Sequence, residues 1–128
     1  MATIIPAPKG TTVTPTPYTF LDLTQAQDLA GEGAQLRQLV QTFEVSLAEE
    51  MQKMSRALSA NDQHAVEFSL HTLKGFMGIF VVPTLAFQIE LLYKNCRSQP
   101  LAATATKFNS LVPNLDDLLS EVRGWLRL

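Results

Sequence analysis

The chain of 128 residues has one cysteine, one tryptophan and two histidines. Its lone thiol, Cys96, has no partner for an internal disulfide, which fits a reducing compartment. Nowhere do about eighteen apolar residues run together, so no segment is expected to span a membrane. A cationic surplus is also missing. Lys and Arg number 10 against 12 Asp and Glu, for a net charge of −2, and the pI is about 5.6. That excludes the basic field that holds a nucleic-acid backbone. The opening MATIIPAPKG lacks the cationic and apolar stretches of a signal peptide, so the expected location is the cytoplasm. Neither strand-like alternation nor a GxxxxGK[ST] phosphate loop occurs.

What is present is a globular balance, with 46% apolar and 17% charged residues. Residues 1–18 carry Pro6, Pro8, Pro15 and Pro17 among threonines, and read as a flexible tail ahead of a domain at 19–128. Thr24 to Gln27 fits a capping box, and Gly31 the stop of a short helix. Leu36, Val40, Phe43, Leu47, Met51, Met54 and Leu58 then mark one face of a helix over about 34–58. Asp62 is a candidate N-cap for a helix whose inner face is Val66, Leu70, Leu73, Met77 and Phe80. Pro83 suits the first turn of a third long helix, with Leu85, Ile89, Leu92 and Cys96 inward. A buried Cys96 thiol is expected there. Leu101, Ala105, Phe108, Val112, Leu115, Leu119, Val122 and Leu126 define a last helix in which Pro113 predicts a kink. The fold class is all-α: an antiparallel four-helix bundle with a short extra N-terminal helix.

The 62–80 helix is unusual on its other side. At about 100° per residue, His64, Phe68, His71, Gly75 and Gly78 face away from the core stripe, with Glu67 and Lys74 at the margin. Each glycine inside a helix costs roughly 1 kcal/mol against alanine. Two on an outer face make sense if another body must approach the backbone closely. Phe68 beside them is a candidate docking contact. Neutral imidazole is a competent nucleophile near neutral pH, and Lys74, one turn beyond His71, offers charge-assisted hydrogen bonds to an anion on the ring. A phosphoryl group fits that pair. Asp116 and Asp117 are adjacent and diverge on a helix, so no carboxylate cluster suits Mg²⁺. Metal and donor are therefore expected from a partner. No Glu-x-x-His pair or HExxH motif points to a resident metal.

His71-Thr72-Leu73-Lys74-Gly75 followed by Gly78 resembles the H-x-L-K-G-x-x-G core of histidine-containing phosphotransfer (HPt) domains, over about residues 19–127. The resemblance implies a phosphocarrier without kinase activity of its own. It would receive a phosphoryl group from a receiver-domain aspartate of a hybrid sensor histidine kinase and pass it to a response regulator, with Mg²⁺ supplied by the receiver. By position, His71 is then the phosphoacceptor through Nε2, Lys74 steadies the phosphoryl charge, and Gly75 admits the partner. Gly78, Phe68, His64 and Glu67 join the docking face, with Glu67 within i,i+4 reach of the His71 ring. Phe76 and Val81 stand where members often have small residues. Tyr93 occupies a position often held by glutamine or glutamate, which leaves two alternatives: its hydroxyl replaces that ring-orienting group, or the role is absent. A free-standing monomeric carrier is expected. The alternative is an adaptor of the same shape that binds a receiver or another helical partner without carrying phosphate.

Overall fold

The structure is a computed structural model that describes residues 18–128, so the tail read over 1–18 lies, apart from Tyr18, outside the described residues. Among the described residues five helices occur: α1 (Thr24–Ala30), α2 (Ala34–Ser59), α3 (Gln63–Phe80), α4 (Pro83–Asn95) and α5 (Leu101–Leu126). The four long helices form a ring in which α2 packs on α3 and α5, and α4 packs on α3 and α5. Their links are too short for anything but antiparallel neighbours. α1 lies across α2 and α3.

The helix ends follow local chemistry. Asp62 caps α3, its Oδ1 accepting from the Ala65 N–H at 3.1 Å. Pro83 occupies the first turn of α4, where its missing N–H costs nothing. Gly31, at φ 72°, ends α1 with its N–H on the Gln27 carbonyl. The capping box expected at Thr24 is not formed. Thr24 already belongs to the helix, and its N–H is taken by Asp22 Oδ1 at 3.0 Å. An aspartate two residues upstream serves this donor in an Asx turn, which a motif search starting at Thr24 overlooks.

Every inward residue expected on α3 and α4 is buried. On α2, Met51 and Leu58 are only half-buried, while Ala57 and Glu50 sit in the core. Glu50 holds one oxygen 3.4 Å from Lys53 Nζ, and its other oxygen has no hydrogen-bond partner among the described residues. On α5 the inner line is Thr104, Phe108, Leu111, Leu115, Leu118 and Val122, set back by one residue from the expected Ala105, Val112 and Leu119. A helix packed on two neighbours has an apolar face wider than one stripe, and the fold selects which edge goes deepest. α5 runs as one helix through Pro113.

Residues 19–22 form a strap that periodicity does not reveal. Leu21 makes an isolated antiparallel bridge with Val81; the Asp22 N–H donates to the Phe80 carbonyl at 2.8 Å and the Val82 N–H to the Phe20 carbonyl at 2.9 Å. Val81 adopts ordinary extended backbone (φ −128°), so this chain needs no glycine there. From α5, the Glu121 carboxylate accepts three N–H groups, those of Thr19, Phe20 and Leu21, each at 2.9 Å. Glu121→Ala leaves these donors without their acceptor. A loss of about 1–3 kcal/mol in urea unfolding is expected, with faster amide exchange at 19–21. Unchanged exchange there would show that the strap is held by Leu21 packing alone.

Candidate functional site

Because α3 buries Val66, Leu70, Leu73 and Met77, the residues half a turn away must face outward, and they do. His64, Phe68, His71, Gly75 and Gly78 are exposed, and Phe68 keeps 63% of its surface in water. Lys74 and Glu67 are half-buried at the edge of the same face. A Cβ built on Gly75 or Gly78 would meet nothing within 4 Å. The fold's own packing therefore gives no reason for either glycine. Both border open space among the described residues.

The α3–α4 packing brings Tyr93 beside His71. Their ring centroids are 5.4 Å apart with planes tilted by 50°, and Lys74 Nζ lies 5.6 Å from the Tyr93 centroid. Among the described residues no hydrogen bond joins the Tyr93 hydroxyl to the imidazole, so the contact is one of ring against ring. Nor does Lys74 form an ion pair among the described residues.

Glu67 is engaged elsewhere and does not bond the His71 ring. Its Oε2 accepts from Gln63 Nε2 at 2.8 Å and its Oε1 from Arg97 Nε at 2.8 Å. The Gln63 hydrogen bond, then Arg97, holds the Glu67 carboxyl below the usual range, and the Glu67 hydrogen bond raises Arg97 in turn. Gln63 also donates to the Cys96 carbonyl at 3.1 Å, which clamps the start of α3 to the end of α4. As expected, Cys96 is buried; burial pushes its thiol up, and Sγ lies 3.1 Å from the Tyr93 carbonyl. Phe76 is absorbed at the bundle's flank, edge-on to Phe43 at 5.4 Å and 77°.

His64, Glu67, Phe68, His71, Tyr93 and Arg97 line a shallow cleft of about 200 Å³. Small-molecule sites usually enclose roughly 300–1,000 Å³, so this hollow suits a group presented by a protein better than a free nucleotide. Beyond Gly78 the open face continues into a groove bordered by Ile79, Pro83 and Phe87, where Phe87 is 61% exposed. Sequence reading missed Arg97 and Phe87. Arg97 lies 30 residues from Glu67 in the chain and meets it only because α3 and α4 are antiparallel. Phe87, by contrast, is two residues from inward-facing Leu85, and that offset was a usable signal. Among the described residues no three His, Cys, Asp or Glu side chains converge on a possible metal position, and no helix is long and apolar enough to cross a membrane.

A helical bundle that exposes His71 beside Lys74, which forms no ion pair among the described residues, and beside two glycines bordering open space has the layout of a phosphotransfer module rather than of a closed catalytic pocket. The family model described as Hpt domain matches residues 38–125, which run from early α2 nearly to the end of α5. The chain belongs to that family, whose role is histidine phosphotransfer in two-component signalling and whose usual partners are receiver domains and kinases. No curated protein and no solved structure matches it.

Proposed function

We propose that the chain is a monomeric cytoplasmic phosphorelay intermediate that takes a phosphoryl group from a receiver-domain aspartate onto His71 and delivers it to a second receiver. The observation that carries this reading is the open space over Gly75 and Gly78 beside the exposed His71 ring. The Nε2 lone pair attacks the aspartyl phosphorus. The N–P bond forms as the acyl O–P bond breaks, the carboxylate leaves with that electron pair, and the ring proton stays on Nδ1. Lys74 donates to the phosphoryl oxygens as the group arrives. The remaining charge neutralisation would be supplied by Mg²⁺ on the receiver's own carboxylates, since this chain contributes only Lys74. Phe68, His64 and the outer surface of Glu67 border the docked partner.

Incubation with a receiver labelled on its aspartate tests this. Label should appear on the chain as an acid-labile, alkali-stable phosphoramidate, then move to a second, unlabelled receiver. Binding of the labelled receiver with no label on the chain would instead establish the adaptor.

The glycines supply a second test with effects of opposite sign. Gly75→Leu adds a helix-favouring side chain in open space, so folding stability should hold or rise by up to about 1 kcal/mol. The same side chain obstructs the approach to His71, and transfer should fall by about a hundredfold, the scale expected from a 1 Å misplacement of reacting groups. Stability by urea titration and transfer by label uptake measure the two independently. A variant that transfers at the wild-type rate would mean that receivers do not approach over Gly75.

A further inference from the structure

We infer that Tyr93 is a positioning residue whose ring face, not its hydroxyl, holds Lys74 in place beside His71; this rests on the reading of His71 as phosphoacceptor. A lysine ammonium on a flexible four-carbon stem has no fixed position unless something retains it. Here Nζ lies 5.6 Å from the Tyr93 centroid, inside the roughly 6 Å range of a cation–π contact. The same ring packs 5.4 Å from the imidazole, within the usual span of about 4.5–7 Å for aromatic pairs. One aromatic side chain from α4 thus adjoins both groups that α3 presents, and it meets the ammonium without a carboxylate. A carboxylate would also hold Lys74, but it would compete with the incoming phosphoryl group and repel it. A neutral π face is a weaker partner, from which the ammonium can swing to the phosphoryl oxygens at little cost. Glu67, the carboxylate that lines the cleft with His71 and Tyr93, is already occupied by Gln63 and Arg97.

The test combines an NMR measurement that needs no phosphate with a transfer measurement. In the unphosphorylated protein the Lys74 ε-methylene protons should be shifted upfield by the Tyr93 ring current. Tyr93→Phe should keep that shift and Tyr93→Leu should lose it. In label uptake from a phosphorylated receiver, Tyr93→Phe should match wild type. Tyr93→Leu should slow uptake by roughly tenfold or more, the scale of one charge-assisted hydrogen bond. In a Lys74→Met background Tyr93→Leu should cost little further, because its effect runs through Lys74. The inference is overturned if Tyr93→Phe falls as far as Tyr93→Leu, if Tyr93→Leu transfers at the wild-type rate, or if its cost is the same with and without Lys74. Absence of label on wild type would sink the phosphocarrier reading itself; label on wild type with any of those three outcomes would remove Tyr93 alone.

Discussion

His71→Gln is expected to abolish phosphoryl uptake from an aspartyl-phosphate receiver while leaving helical content and unfolding midpoint unchanged. The two halves of this result have separate causes. Glutamine has the reach of the imidazole and can hydrogen-bond with solvent, but its amide nitrogen has no free lone pair with which to attack phosphorus. The ring it replaces is exposed and, among the described residues, its one ring contact is the tilted one with Tyr93, so the fold loses little. Surface substitutions of this kind usually stay within about 0.5 kcal/mol. His64→Gln is the matched control. It removes the chain's other imidazole from the same helix face, two turns earlier, and should leave most of the uptake intact. Label retained by His71→Gln and lost from His64→Gln would move the acceptor to the other histidine.

The largest expected change in stability comes from Phe43→Ala. Phe43 is fully buried on α2, stacked on Phe80 at 4.2 Å and 11°, and met edge-on by Phe76 at 5.4 Å. Both partners come from the C-terminal half of α3, the half that carries Gly75 and Gly78 on its outer side. Truncating a buried phenylalanine typically costs about 3–5 kcal/mol, lost transfer energy plus the cavity left behind. Against a total of roughly 5–15 kcal/mol for a domain, that is a large fraction. The urea midpoint should drop accordingly with an unchanged slope. At low temperature, the folded fraction should still accept phosphate, because Phe43 lies on the far side of α3 from His71. A loss below about 1 kcal/mol would mean that the surrounding side chains collapse into the vacated space.

Much of this arrangement is legible from residue order alone. A helix imposes a period, so the inner residues of α3, from Val66 to Phe80, also identify the outer ones, and His71, Gly75 and Gly78 follow without coordinates. Asp62 and Pro83 are equally readable, because capping and proline geometry act within a few residues. The misreadings share a different feature. Spacing puts Glu67 within i,i+4 reach of the His71 ring, yet Arg97, just past the neighbouring helix, and Gln63 on its own helix bind it instead. Two hydrogen bonds at 2.8 Å, one of them from a guanidinium, outcompete a contact allowed only by spacing. Glu50 occupies the middle of the inner face of α2, where its charge argued for the surface. Glu121 showed no pattern at all, because its three partners lie about a hundred residues away.

By itself, residue order determined the all-helical bundle, the direction in which His71 faces and the empty ground around Gly75. These depend on periodicity and short-range backbone chemistry, which any stretch of chain carries within it. Only the tertiary structure decided which carboxylate meets which cation, which edge of α5 goes deepest, and that Tyr93 meets Lys74 and His71 with its ring. Those outcomes depend on the rotation and height of one helix against another, and that is set by the packing of the whole core rather than by any local segment.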